Sequence, residues 1–147
     1  MKLGKSPTMT DSLLNLNPPE KIHSDLSKGF KVGFVGTSDG HRLNIGVGGG
    51  LTGIYATDLN PEAILEAIKS HRVYATNGNR MFIDARVNGV IMGQDLQSNR
   101  SVELRLHVES SRLLIRATLI RDGKQIYNVS GNGRRILDVL YTDSPGK

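Results

Sequence analysis

The pattern of apolar and polar residues changes near Gly78. Before that point, short apolar segments alternate with a glycine-rich loop and a helical periodicity, which is typical of α/β units. After it, apolar and polar residues alternate at every second position, as in strands with one solvated face. The pattern predicts an α+β chain with a polar lead-in over residues 1–18, an α/β part over 19–78 and an antiparallel β module over 79–147.

Two strands and two helices are predicted in the α/β part. Residues 30–37 (FKVGFVGT) form a nearly continuous apolar run, the pattern of a strand buried on both faces, and a second strand follows from Leu51. Pro19 to Lys28 suits a short helix that ends at Gly29. A longer helix is expected after Asn60, which can cap it.

Tight turns divide the β module. Asn88-Gly89 and Asp122-Gly123 are dipeptides that favour the left-handed turns of β-hairpins. The alternating segments between such turns predict strands that form one antiparallel sheet, arranged as in a β-sandwich. These segments are residues 81–87, 90–92, 102–108, 113–120, 125–129 and 135–141.

Composition narrows the class of protein. The 147 residues suffice for one modest core, which must be mainly aliphatic because aromatics make up only 5% and Trp is absent. The absence of cysteine excludes disulfides and thiolate metal sites, and with the lack of a signal peptide it favours a reducing compartment such as the cytoplasm. No apolar run approaches the ~20 residues of a membrane span. We therefore expect a soluble protein.

The formal net charge of +5 raises the question of nucleic acid. The basic residues are scattered along the chain, however, and none of them forms the Lys/Arg run of about five to eight residues that marks a polybasic patch. Few aromatic side chains could stack on bases. Neither a nucleic acid nor a membrane is therefore expected as a partner.

Asp39 and His41 are the best candidates for chemistry. They follow the apolar run of residues 30–37, at the end of a strand where α/β proteins build sites. Residues i and i+2 of an extended segment point to the same side, so a carboxylate and an imidazole converge. Such a pair suits Zn, Mn or Fe. The alternative is that Asp39 caps the turn at Gly40 and that His41 is merely a polar surface residue.

Several linked motifs give this segment a family likeness. A Gly-rich strand is followed by Ser-Asp-x-His, then by a Gly-rich loop that leads to Leu-Thr-Gly-x-Tyr-Ala. An amphipathic helix and Arg-x-Tyr-Ala-Thr-x-Gly come next. In this order, over roughly residues 29–94, the chain resembles the closing segment of the polymerase and histidinol phosphatase (PHP) superfamily, in its carbaryl-hydrolase-like branch. The resemblance implies the terminal part of a distorted α/β barrel that hydrolyses phosphoesters with metal-activated water.

The resemblance also assigns residues. It makes Asp39 and His41 the last ligand pair of a site for divalent Zn, Mn or Fe. Apart from the resemblance, Arg42 beside His41 could contact an anionic substrate, and the alternative is a solvated surface arginine. The residues that match Arg-x-Tyr-Ala-Thr-x-Gly take a structural role, and they are Arg72, Tyr74, Thr76 and Gly78. Asn77 departs from the usual Thr. An early His-x-His is missing, because the histidines at 23, 41, 71 and 107 are never two residues apart.

Two metal ligands cannot hold a catalytic metal cluster. We therefore expect a fragment of a metal-dependent hydrolase that is inactive alone and has no identifiable catalytic residue of its own. Its partner would be the N-terminal half of the barrel, or a second copy through self-association. The alternative from a different class is a stand-alone β-sandwich module that binds a partner without catalysis.

Overall fold

In the computed structural model of the protein, the described residues are 31–38 and 49–144, together with Leu26, Lys28 and Gly29. Most of them lie in strands. The elements in chain order are β1 (Leu51–Ile54), α1 (Pro61–Lys69), β2 (Val73–Thr76), β3 (Met81–Val87), β4 (Val90–Ile91), β5 (Val102–Arg121) and β6 (Lys124–Asp143). No helix in this part of the chain is long or apolar enough to cross a membrane.

The strands form two antiparallel sheets. β1 pairs with β2, and the second sheet has the order β4-β3-β5-β6. The prediction that residues 19–78 form part of an α/β barrel is therefore wrong for the described residues, which contain no parallel strand pair and no barrel. The physical reason is that β1 and β2 flank α1 as an antiparallel pair, whereas a barrel unit requires parallel strands.

The segment 31–38 is not the buried strand that its apolar sequence predicts. It belongs to neither sheet, and Val32, Phe34 and Val35 are about half exposed. Its two glycines make the close contacts instead: Gly33 faces Val73, and Gly36 lies between β1 and β2. The apolar pattern of the sequence did not predict this packing, because the glycines face the sheet and the large side chains do not.

Helix α1 begins as predicted. The side chain of Asn60 accepts a hydrogen bond from the backbone N–H of Ala63 at 2.8 Å, and Pro61 is the first helical residue. Ala67 is fully buried, whereas Ile68 is 41% exposed. His71 lies beyond the helix end, with a φ of 56°. Most of the helix predicted from Pro19 lies outside the described residues.

Both predicted hairpin turns are confirmed. Asn88 and Gly89 have positive φ angles and join β3 to β4, and Asp122 and Gly123 do the same between β5 and β6. The four segments predicted around the second turn are, in the structure, only two strands of 20 residues each.

The β5–β6 pair folds back on itself. Tyr127 and Tyr141 both belong to β6, yet their ring centroids are 4.7 Å apart, whereas a straight strand would separate them by about 46 Å. Arg121, next to the hairpin turn, forms an ion pair with Asp143 at the far end of β6. The two strands therefore bend into two facing layers, which is a sandwich-like arrangement.

Register shifts between Glu109 and Arg116 mark the bend. On the opposite strand, Gly131 approaches the backbone carbonyl of Leu114 so closely that a Cβ atom would collide with it. Leu114 is buried at this point, as are Val108 and Val139 between the layers. The core of the β module is thus small and aliphatic, as the composition predicts.

Two tyrosines connect the sheets. The hydroxyl of Tyr55 donates a hydrogen bond to the carbonyl of Ile83 at 2.5 Å, and that of Tyr74 donates to the carbonyl of Met81 at 2.7 Å. Two residues further along β3, the carbonyl of Ala85 accepts a hydrogen bond at 2.9 Å from the backbone N–H of Met92, which directly follows β4. The two hydroxyls thus continue the row of hydrogen bonds along this edge of β3.

Candidate functional site

The segment that contains Asp39 and His41 starts and ends at one place. These two residues and Arg42 lie outside the described residues, but Ser38 and Gly49 on either side are described. A Cβ atom added at Gly49 would lie 2.7 Å from the Cα of Ser38. The two ends of residues 39–48 are therefore in direct backbone contact.

Glycines pack closely around the point where the two flanking residues meet. The N–H of Gly50 donates to the carbonyl of Thr37 at 3.1 Å, and Gly78 lies against the carbonyl of Gly49 with a φ of 94°. A Cβ atom at Gly36 would lie 2.6 Å from the carbonyl oxygen of Leu51. Because side chains are excluded at these points, backbone packs directly on backbone. We call Gly36, Gly49, Gly50 and Gly78 the glycine base.

A threonine fixes the glycine base to β1. The hydroxyl of Thr52 accepts a hydrogen bond from the N–H of Gly36 at 3.1 Å and donates one to the carbonyl of the same residue at 2.9 Å. Both backbone groups of Gly36 are thus satisfied by one side chain, although the segment has no strand partner.

The residues of the Arg-x-Tyr-Ala-Thr-x-Gly motif make structural contacts. The guanidinium of Arg72 forms an ion pair with Glu66 of α1. The ring of Tyr74 lies where a side chain at Gly53 would be, so this cross-strand pair requires glycine. The hydroxyl of Thr76 accepts a hydrogen bond from the N–H of Gly78 at 3.3 Å. These contacts give each residue a role in holding the strands and the glycine base.

The described residues do not complete a metal site. In residues 31–38 and 49–144 there is no group of three or more His, Asp or Glu side chains that could hold a metal ion. Asp39 and His41 provide the right donor types for Zn, Mn or Fe, but two donors are too few for a catalytic centre. The residues present therefore offer the donor types that the implied metal needs, but too few of them.

A second arrangement of functional groups lies on the β module, on the face of β3, β5 and β6 away from Val108 and Val139. The strand register aligns nine side chains in three rows. We call this set the polar face, and its rows are Phe82–Glu109–Ile136, Asp84–His107–Asp138 and Arg86–Arg105–Leu140.

His107 is the centre of the polar face. Its Nδ1 lies 2.6 Å from a carboxylate oxygen of Asp138, and its Nε2 lies 3.1 Å from one of Glu109. The hydrogen bond to Asp138, followed by that to Glu109, raises the pKa of His107 above its ordinary 6.5. The imidazole is only partly exposed and packs edge-on against Phe82.

Two arginines line a shallow pocket beside His107. Arg86 and Arg105 are register partners, and each directs its Nε to a carboxylate on its own strand: Arg86 to Asp84 at 2.9 Å and Arg105 to Glu103 at 2.6 Å. The pocket has a volume of about 470 Å³ and is bordered on its other side by Leu140 and Asp138. Like charges on adjacent strands repel each other, so an acceptor group between the guanidiniums would relieve that repulsion.

Tyr55 borders the polar face. Its ring centroid lies 5.8 Å from that of Phe82. Burial, followed by the nearby charge of Asp84, raises the pKa of its hydroxyl to about 12. Tyr55 is therefore a hydrogen-bond donor at neutral pH and not a base.

The sequence alone did not connect His107 to other functional residues. The signal that could have found the row was the alternation itself, since Asp84, His107 and Asp138 are each the polar residue between apolar neighbours. What the sequence does not give is the register that aligns them.

One family model matches the chain. It is described as a protein of unknown function (DUF3604) and matches residues 42–85, which include the end of the Gly-rich segment, both strands of the first sheet, α1 and part of β3. No curated protein and no solved structure matches the chain. The similarity to this family thus covers Gly49, Gly50 and Gly78 of the glycine base and both tyrosines, but not Gly36, and it ends before the polar face is complete.

Proposed function

We propose that the chain supplies a two-residue cation-binding segment, Asp39 and His41, to a metal-dependent hydrolase whose other ligands lie outside these 147 residues. The observation that carries this proposal is the contact between Ser38 and Gly49. Ser38 and Gly49, which flank residues 39–48, are held at one point. Bringing two donors of this segment together therefore costs less conformational entropy than it would in a loop whose ends are free.

The glycine base supports this proposal further. A ligand pair needs a rigid support, and here the backbone around Thr37 and Gly49 is fixed by hydrogen bonds and by contacts that exclude side chains. When bound, a divalent cation would polarise a bound water molecule. The role of this chain in that chemistry is to hold the carboxylate and the imidazole and to orient them.

Cation binding by Asp39 and His41 can be tested by NMR. Titration of Zn²⁺ into the whole chain should shift the Hε1 resonance of His41, while that of His107 stays in place. Asp39→Ala should weaken the apparent affinity of this response roughly tenfold, because the imidazole loses its partner donor. His107→Gln is the matched control and should leave the titration unchanged. A His41 resonance that does not respond to Zn²⁺, or that responds equally in Asp39→Ala, contradicts the proposal.

A second candidate function is that of a binding module without catalysis. The pocket beside Arg86 and Arg105 favours it, because the paired guanidiniums, the adjacent apolar Leu140 and the imidazole of His107 combine polar recognition with apolar contact. This function predicts that carboxylate-bearing ligands bind the chain without any added metal, and that Arg86→Gln weakens such binding. Binding that is unaffected by Arg86→Gln contradicts it.

A further inference from the structure

The bend in the β5–β6 pair brings together arginines that are distant in the sequence. Leu114 of β5 is the register partner of Arg134 in β6. The two segments that meet here, residues 110–116 and 130–136, contain no Asp or Glu. They contain four exposed arginines, namely Arg112, Arg116, Arg134 and Arg135. The expectation of no membrane partner rested on the lack of a continuous Lys/Arg run, whereas this cluster arises from the pairing of two separate segments.

Large apolar side chains are exposed among these arginines. Leu113 is 63% exposed, Ile115 is 76% exposed and Ile136 is 53% exposed, while Leu114 between the first two is buried in the bend. Single exposed aliphatic residues are ordinary, but here three of them lie on two segments that the strand register makes neighbours.

Most of the net positive charge of the chain arises at the bend. Segments 110–116 and 130–136 contain four arginines and no Asp or Glu, which gives a formal charge of +4 against +5 for the whole chain. The other residues together therefore carry a formal charge of only +1. Among the described residues, the carboxylate nearest in register is Glu109, opposite Ile136, and it is in contact with His107. A partner of opposite charge is thus attracted to this end of the molecule.

We propose that this surface docks on an anionic lipid bilayer. We call it the bend patch, and it consists of Arg112, Leu113, Ile115, Arg116, Arg134, Arg135 and Ile136. Exposed aliphatic side chains on the same two segments as four arginines match the interface of such a bilayer, where acyl chains begin below a layer of phosphate and carboxylate groups. Charge complementarity selects the anionic lipid, and the exposed aliphatic side chains supply the apolar contact.

A nucleic acid fits the bend patch less well. It would attract the same arginines, but it gains nothing from exposed Leu and Ile, and the bend patch has no aromatic side chain on which a base could stack. The aliphatic residues therefore distinguish the two partners. Substituting them separately from the arginines makes the distinction measurable.

The experiment uses the whole chain and lipid vesicles. Vesicles of phosphatidylcholine with about one third phosphatidylserine should carry the protein down on sedimentation, whereas vesicles of phosphatidylcholine alone should not. Raising the salt concentration should release the protein, because the attraction between arginines and headgroups is screened. Absence of binding to the vesicles that contain phosphatidylserine overturns the proposal.

Two variants test the two components of the bend patch. Arg116→Gln combined with Arg134→Gln should lower the partition coefficient roughly 30-fold, at about fivefold for each arginine. Ile115→Ser should lower it roughly tenfold through lost apolar contact. Leu59→Ser and Arg100→Gln, at exposed positions outside both the bend patch and the polar face, are matched controls and should change nothing.

The same variants separate the outcomes that contradict the proposal. If Ile115→Ser binds vesicles as well as the unchanged protein and the chain also binds duplex DNA, the arginines serve a nucleic acid and the proposal is wrong. Equal losses in the bend-patch and control variants also contradict it. If Ile115→Ser melts at a lower temperature than the unchanged protein, Ile115→Thr keeps the β-branched shape and replaces it in the test.

Discussion

His107 and Asp138 are register partners on β5 and β6, and their side chains are joined by a hydrogen bond of 2.6 Å between Nδ1 and a carboxylate oxygen. The raised pKa of His107 means that the folded protein holds the imidazole proton more tightly than the unfolded chain does. The stabilisation is therefore fully present below the ordinary value of 6.5 and is lost as the pH rises through the raised pKa.

We accordingly expect the melting temperature to fall as the pH rises through this window, and His107→Gln to remove that part of the pH dependence. Melting curves recorded by circular dichroism between pH 5.5 and neutral or slightly alkaline pH would measure it. Asp138→Asn should flatten the curve in the same way, because it removes the largest cause of the shift. A pH profile that is identical in all three proteins would contradict this assignment.

Tyr55→Phe should lower the free energy of unfolding by about 1 to 2 kcal/mol, because the carbonyl of Ile83 loses its donor at the edge of β3. Urea unfolding measures this loss. Tyr141→Phe is the control, since no hydrogen bond of its hydroxyl is seen in the described part of the chain and its ring contact with Tyr127 is kept.

The same variant tests the pKa of about 12 for Tyr55. Alkaline titration followed by tyrosinate absorbance should show one of the four tyrosines ionising well above the ordinary 10, and Tyr55→Phe should remove that step. Since the folded value is the higher one, the stability that this group contributes is intact below pH 10 and is lost toward pH 12. If the ionisation step at the highest pH persists in Tyr55→Phe, another tyrosine is responsible for it.

Gly131→Ala should destabilise the protein by about 2 to 4 kcal/mol, because the added methyl group collides with the backbone carbonyl of Leu114 at the bend. Gly133→Ala is the control, because Gly133 lies two residues further along β6 and has open space around it. Only its left-handed backbone, with a φ of 66°, opposes the substitution, at a cost of about 1 kcal/mol. Thermal unfolding of both variants would compare them. Equal effects would show that the close approach at Gly131 does not matter.

Asn60→Ala should cost about 1 kcal/mol through the lost hydrogen bond to the N–H of Ala63. Asn128→Ala on the exposed outer side of β6 is the matched change and should cost less than half of that. Chemical denaturation of both variants would decide, and a smaller loss at Asn60 than at Asn128 would contradict the capping role.

Local signals in the sequence were sufficient where the structure is local. The cap at Asn60 and the turns at Asn88 and Asp122 depend on a few neighbouring residues, and all were predictable. The α/β barrel was not a sound prediction, because a strand, a helix and a second strand occur in both parallel and antiparallel units. The short apolar run of residues 30–37 misled for a related reason: its glycines, and not its Val and Phe residues, face the sheet.

The features that depend on strand pairing could not be predicted from the sequence, for a different reason. Alternation identifies the polar side of β3, β5 and β6, but only the register places Asp84, His107 and Asp138 in one row. Likewise, the segments 102–108 and 113–120 were predicted as separate strands, since a bulged bend within one strand resembles a loop in the sequence. The metal-ligand role of Asp39 and His41 stays a prediction, because both lie outside the described residues.

The hydroxyls of Tyr55 and Tyr74 have a consequence for how the protein behaves when concentrated. An open strand edge invites intermolecular pairing, the first step of β-aggregation. At Met81 and Ile83 the acceptors that an incoming strand would need are already engaged, and two bulky rings stand in its path. This side of β3 is therefore protected against fibril growth, and replacing both tyrosines by phenylalanine would free the two acceptors while leaving the two rings in place.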